Sequence, residues 1–331
     1  SDGSHDDFNK IAFSMAGWDP TVSPETIVQE YSKVFFGDDL AEDAARGILL
    51  LDRSWRGPIE ENNAIEESRS LWEGIAARAG KRFLDNWRMQ MFVYRATYDS
   101  FLKSKKAFDE EQEKRILEAI AEALPKGATA AIKAGLEAIK TSKDTPYPVD
   151  IHARVYRLNE LGLMLMKTIG YQLSVKPPYY APNPERSGSL DFTDLPLNNS
   201  LWLEKQLNDL AELEEEPQKL ERITRLIQWE NPGKDGFYDD LGNLTKQPHL
   251  VRQTIWKDDP GFVHGPQEEF SKAMDNATLQ YETARLSWLD QAQTLYGTPL
   301  KMRYTNLAKD AQYRVRITYA GRFKASLELW A

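Results

Sequence analysis

Apolar residues along this chain recur mostly at three- and four-residue spacing, the period of a helix with one buried face. Ser23-Pro24-Glu25 has the form of a helix start, with Ser at the cap and Pro where a missing N–H costs nothing, and Ile27, Tyr31, Val34 and Phe35 follow. The same pattern predicts helices over 40–55, ended by Gly57-Pro58, and from Ile65 through Leu71, Trp72 and Ile75 to Gly80. Between 82 and 105, Phe83, Trp87, Met91, Tyr94, Tyr98, Phe101 and Leu102 make an unusually aromatic stripe. A charged helix is expected over 109–123, closed by Pro125 and Gly127, then another over 128–140. The stretch 149–175, strongly apolar in its second half, reads as the central buried helix.

Periodicity then breaks twice, over 176–199 with five prolines and over 231–265 with many Gly, Asp and aromatic residues. Loops of that length are often functional. Between them, Trp202, Leu203, Leu207, Leu210 and Leu213 share a helical face, and helix resumes beyond Pro217 to Trp229. A last long helix is expected over 267–296. The period changes to two at Tyr313, Val315, Ile317 and Tyr319, and 326–330 looks like a further strand. The fold class expected is therefore mainly α, an irregular helical bundle over 23–298, with C-terminal strands over 299–331 that begin a β-sandwich.

Composition narrows the function classes. Of 331 residues 41% are apolar and 28% charged, with both signs mixed, as in globular proteins. The net charge of -9 argues against nucleic acid as a partner, because phosphate-backbone binding needs clustered Lys and Arg. No apolar run is long enough to span a bilayer. The absence of cysteine excludes disulfides, thiolate metal sites and a Cys nucleophile. Four histidines, His5, His152, His249 and His264, show no metal-ligand spacing, and phosphate-loop, zinc-helix and serine-elbow motifs are absent. Scattered carboxylates remain as the catalytic option, although nothing in the spacing of Asp150, Glu160 and Asp191 pairs them.

Three places combine acids or cations with aromatic rings. At the N-terminus Asp2, His5 and Asp7 can hydrogen-bond sugar hydroxyls or supply a carboxylate, the alternative being a frayed polar end. The run Trp229-Glu230-Asn231-Pro232-Gly233-Lys234-Asp235-Gly236-Phe237-Tyr238-Asp239-Asp240 offers oxygen ligands and ring faces for a sugar or a Ca²⁺ ion, without EF-hand spacing. Its alternative is a solvated turn. Arg53, Trp55 and Arg56 with Trp87, Arg88, Tyr94 and Arg95 can grip an acidic sugar, or can be core with Arg stems covering apolar surface.

The segment 1–37 resembles the join between a (β/α)8 barrel and a helical domain in bacterial glycoside hydrolases. Ala12, Met15, Trp18, Asp19, Pro20, Ser23 and Ile27 are similar in style to a stretch of α-glucuronidases and α-N-acetylglucosaminidases. The resemblance implies that 1–22 ends a barrel lying earlier in the same polypeptide, and that Asp2, His5 and Asp7 contact substrate at its last strand. It also implies a secreted protein, periplasmic or extracellular, with an oligosaccharide or polysaccharide as partner. The expectation is a helical accessory region of a carbohydrate-processing hydrolase, inactive alone, with Trp229, Asp235, Tyr238 and Asp239 lining a glycan cleft and no cofactor beyond a possible Ca²⁺. The competing expectation is a non-enzymatic glycan-binding or scaffold protein.

Overall fold

A computed structural model describes residues 6–54, 56–170, 197–255, 257–262, 284–289, 292–294 and 296–318. Among these residues ten α-helices carry the fold: α1 Asp6–Trp18, α2 Pro24–Phe36, α3 Asp38–Arg53, α4 Ala64–Ala79, α5 Lys81–Asp85, α6 Trp87–Ala123, α7 Ala128–Asp144, α8 Val149–Ile169, α9 Ser200–Ala211 and α10 Glu216–Ile227. The chain forms two compact units. The first takes in residues up to Glu118 and Glu137–Ser200, the second Ala119–Leu136, Leu201–Val263 and the residues from Thr278 on.

In the first unit α2 starts as the sequence predicts, the Ser23 hydroxyl accepting the Thr26 N–H at 3.1 Å with Pro24 in the first turn. Its inward face meets α3, α4 and α6 in an aromatic core. Trp72 of α4 stacks on Phe92 of α6 at 4.7 Å and 10°, and Phe36 packs edge-on to both rings. Gly47 of α3 lets this happen: a Cβ there would lie 2.8 Å from the Trp72 indole. Phe8 of α1 packs edge-on to Tyr31 of α2.

The helices expected over 82–105 and 109–123 are one 37-residue helix, α6, preceded by the separate short α5. Nothing between Lys105 and Asp109 interrupts helical hydrogen bonding, whereas Asn86 adopts an extended conformation and caps α6, accepting the Met89 N–H at 3.1 Å. The central helix is therefore α6 and not α8. Although Leu158, Leu161 and Leu165 of α8 are buried, Leu163 is 64% exposed, and Met166 and Ile169 are exposed as well. Gly170, in the left-handed region at φ 69°, ends α8; 171–196, including most of the proline-rich connection, lie outside the described residues.

Polar groups are built into α6. Arg95 Nε lies 2.8 Å from Asp99 Oδ1 with both side chains buried. Lys105 pairs with Asp109, whose carboxylate also accepts the Leu197 N–H at 2.7 Å. Burial alone would lower the Lys105 pKa, but the Asp109 carboxylate beside it raises it. Ser100 of α6 links Glu66 of α4 to Arg154 of α8, accepting from Arg154 Nε at 2.7 Å and donating to Glu66. Burial opposes ionisation of Glu66, yet Ser100, Arg69 and Arg154 hold its carboxyl below 4.5.

In the second unit α7 begins under a carboxylate from elsewhere in the chain. Glu216, at the start of α10, accepts the Ala128 N–H at 2.6 Å and faces the Thr129 hydroxyl at 3.3 Å. A negative group there satisfies an unpaired helix donor and complements the helix dipole. Glu216→Ala is expected to cost about 1 kcal/mol, the usual size of an N-cap loss, measured by urea unfolding.

The C-terminal strands are sparser than the alternation predicts. Two-residue strands, β1 Gly261–Phe262 and β2 Ala292–Gln293, pair antiparallel, and Leu250 forms an isolated antiparallel bridge with Met302. Residues 313–318 carry no strand ladder, and Tyr313, Val315 and Ile317 are exposed, so no sandwich forms among the described residues. Residues 319–331, including the second expected strand, lie outside them. The described part of the last expected helix, 267–296, holds a 3-10 turn Leu286–Leu289 and β2 instead. Its side chains are drawn elsewhere, Arg285 to Glu230 and Trp288 to Trp229. No described helix is long and apolar enough to cross a membrane.

Candidate functional site

The acidic-aromatic loop after α10 folds against the segment around Tyr304, within the second unit. Turn chemistry shapes its first part. Asn231 Oδ1 accepts the Gly233 N–H at 3.0 Å, and Gly236 N–H donates to the Gly233 carbonyl at 3.2 Å. Asp235 sits at φ 55°, and a Cβ at Gly236 would come within 2.6 Å of the Pro232 carbonyl oxygen. Only glycine fits there, and Asp235 is left exposed on the turn.

Asp239 organises the rest of the loop. Its Oδ1 accepts the His249 N–H at 3.1 Å, while its Oδ2 lies 2.9 Å from His249 Nδ1 and accepts the Tyr304 hydroxyl at 3.1 Å. A carboxylate can only accept, so Nδ1 carries the imidazole proton and Nε2 is left as an acceptor in the neutral ring. The carboxylate side chain is only 6% exposed. Burial, followed by the Asp239 charge, pushes the Tyr304 phenol up to about 12.

Rings close around this junction. His249 and Tyr304 lie at 4.7 Å and 31°, Phe237 packs edge-on to His249 at 5.2 Å, and Phe237 also contacts Tyr304 and Tyr313 at 5.3 and 6.5 Å. Backbone bonds fix the register: Arg303 N–H to the His249 carbonyl at 2.8 Å and Val251 N–H to the Lys301 carbonyl at 2.9 Å. Tyr304 and Tyr313 remain 41% and 43% exposed.

A second cluster stands earlier in the loop. Trp229 packs with Trp202 and Trp288 at 6.3 and 5.4 Å, and the buried Arg285 guanidinium lies 5.4 and 5.8 Å from the Trp202 and Trp229 rings. Glu230 bridges Arg285 at 2.7 Å and Lys246 at 2.6 Å. The Tyr238 hydroxyl faces Asp240 at 3.5 Å, and burial, with Asp240 and Glu230 nearby, raises its pKa.

Of the residues the sequence singles out, Asp239 is at the centre of one cluster and Trp229 in the other, Tyr238 is half-buried between acids, and Asp235 stands apart on the turn. Asp2 and His5 lie outside the described residues, and Asp7 falls in the first turn of α1. The loop acids do not converge, and no group of three or more His, Asp or Glu able to hold a metal occurs among the described residues. Of the two readings of the Arg and aromatic group around Trp87, core is the one the described residues favour: Arg95 is buried against Asp99, and Arg88 lies over Phe35 and Trp87 at 4.0 and 4.2 Å. Arg56 pairs with Asp52 on the surface. Asp150 and Glu160 pair with Arg154 and Arg157 along α8. His249, Tyr304 and Arg285 are the residues that sequence reasoning missed. Of these, the sequence marked only His249, as one of four histidines without metal-ligand spacing.

Comparison with protein-family models, with characterised proteins and with solved structures finds no match to this chain.

Proposed function

We propose that this chain is the helical accessory region of a secreted carbohydrate-processing protein, and that its second unit presents a glycan-binding face made by Phe237, His249, Tyr304 and Tyr313. The observation that carries this reading is the cluster of four rings, two of them bonded to one buried carboxylate, with two tyrosines open to solvent. Exposed ring faces beside oriented polar groups suit a sugar, which offers C–H faces and hydroxyls together. The bacterial hydrolase resemblance of 1–37 supports the same reading, with the protein in the periplasm or outside the cell and a barrel earlier in the same polypeptide. A thermal-shift screen against neutral and uronic-acid oligosaccharides, with and without Ca²⁺, tests it, since a ligand of the native state raises the melting temperature. A dose-dependent rise with one sugar class supports the proposal, and no rise with any sugar counts against it.

In this reading Asp239 is a positioning residue rather than a sugar ligand. Asp239→Ala is expected to lower stability by about 1.5–3 kcal/mol, the range for a charged hydrogen-bond partner lost from a part-buried site. Urea unfolding checks this. An unchanged midpoint with weakened sugar binding would make the carboxylate a direct ligand. The saturation of Asp239 by His249 and Tyr304 also favours a second reading, a scaffold whose loop is latched and binds no glycan.

A further inference from the structure

Charge is unevenly distributed around the aromatic face. In a chain of net charge -9, residues 299–318 carry Lys301, Arg303, Lys309, Arg314 and Arg316 against the single acid Asp310. All five cations are exposed, and none takes part in an ion pair among the described residues. Arg303 immediately precedes Tyr304, and its N–H bond to the His249 carbonyl fixes that backbone at the ring cluster. Arg314 follows Tyr313, whose hydroxyl accepts the Ala308 N–H at 2.8 Å while its ring contacts Phe237. Two solvent-open rings are thus each flanked in sequence by an uncommitted guanidinium. On the acid side, Asp239 is spent on His249 and Tyr304, and Glu230 on Arg285 and Lys246.

We propose that the Tyr304–Tyr313 face binds an anionic oligosaccharide, its rings stacking on sugar faces while Arg303 and Arg314 grip carboxylate or sulfate groups. This rests on the glycan reading above and adds the ligand's charge. Guanidinium pairs bidentately with such oxyanions. Single-stranded nucleic acid also combines stacking with charge, but tracking its backbone needs an extended basic groove, and the acidity of the rest of the chain opposes it.

The test is a binding titration of the intact chain with four probes: oligogalacturonate, a sulfated glycosaminoglycan fragment, a neutral cello-oligosaccharide and a poly-dT oligonucleotide. The expected result is binding of one or both anionic sugars that weakens with added salt, and the two anionic probes separate carboxylate from sulfate recognition. Arg303→Gln and Arg314→Gln should each weaken it roughly tenfold, the scale of one lost charge-assisted contact, with unfolding midpoints unchanged because both side chains are exposed. Equal binding of neutral and anionic sugars, or no effect of either variant, overturns this inference and leaves the glycan reading standing. No sugar binding at all overturns both. Preference for the oligonucleotide overturns the inference in favour of a nucleic-acid surface.

Discussion

Replacing Asp99 with alanine is expected to lower the unfolding free energy by about 3–5 kcal/mol, the range for breaking a buried ion pair by removing one partner. Asp99 and Arg95 are one turn apart on α6, with both side chains almost wholly removed from water. Burial pushes the Asp99 carboxyl above its ordinary 3.8, against the pull of the Arg95 guanidinium, so the pair is held in surroundings that disfavour charge. Arginine stays protonated in any protein environment. Removing the carboxylate takes a buried charged partner from the guanidinium, and the loss exceeds what a surface pair would show. Urea unfolding followed by far-UV circular dichroism measures the cost. Asp99→Asn, which keeps an acceptor oxygen, should lose less than alanine, and the double replacement Arg95→Met with Asp99→Leu should recover most of the stability. A loss below about 1 kcal/mol for alanine would mean that water reaches the pair.

Trp72→Ala is the second large effect, expected at about 3–5 kcal/mol for a fully buried aromatic residue. The indole is stacked on Phe92, flanked by Phe36 and roofed by Gly47, so its loss opens a cavity bounded by three helices besides its own. Helical backbones cannot close that gap without breaking other contacts, which is why the cavity cost adds to the lost transfer energy. The same unfolding measurement decides it. Trp72→Phe, which keeps a ring against Phe92, should cost clearly less, and equal losses for the two variants would show that stacking contributes little there.

Much of the helical architecture could be read along the chain because helix formation leaves local marks. Ser23-Pro24, Gly80 and Pro217 fall at or next to helix ends, Gly57-Pro58 lies in the turn between α3 and α4, and the aromatic stripe after Phe83 lies in the core. Local marks misled where neighbours decide the outcome. The aromatic and charged halves of α6 look like two helices because their composition changes, yet backbone hydrogen bonding continues across residues 105–109. The apolar second half of α8 looks buried, but burial depends on what packs against a face, and Leu163, Met166 and Ile169 stay exposed among the described residues. Strands are harder still, since alternation at Tyr313–Ile317 specifies two faces without supplying a partner to pair with.

The site divides along the same line. By itself the sequence determined that the loop after Trp229 is rich in acids, rings and turn residues, because turn chemistry is written in short runs such as Asn231-Pro232-Gly233. Only the tertiary structure decided which of those acids remain free for a ligand. Asp239 meets Tyr304 across 65 positions and Glu230 meets Arg285 across 55. Partners so far apart are selected by three-dimensional packing and leave no local signature. Asp239 and Glu230 are tied to such distant partners, Asp235 stays exposed on its turn, and Tyr304 with Arg303 lies ahead of the alternating run at 313–319.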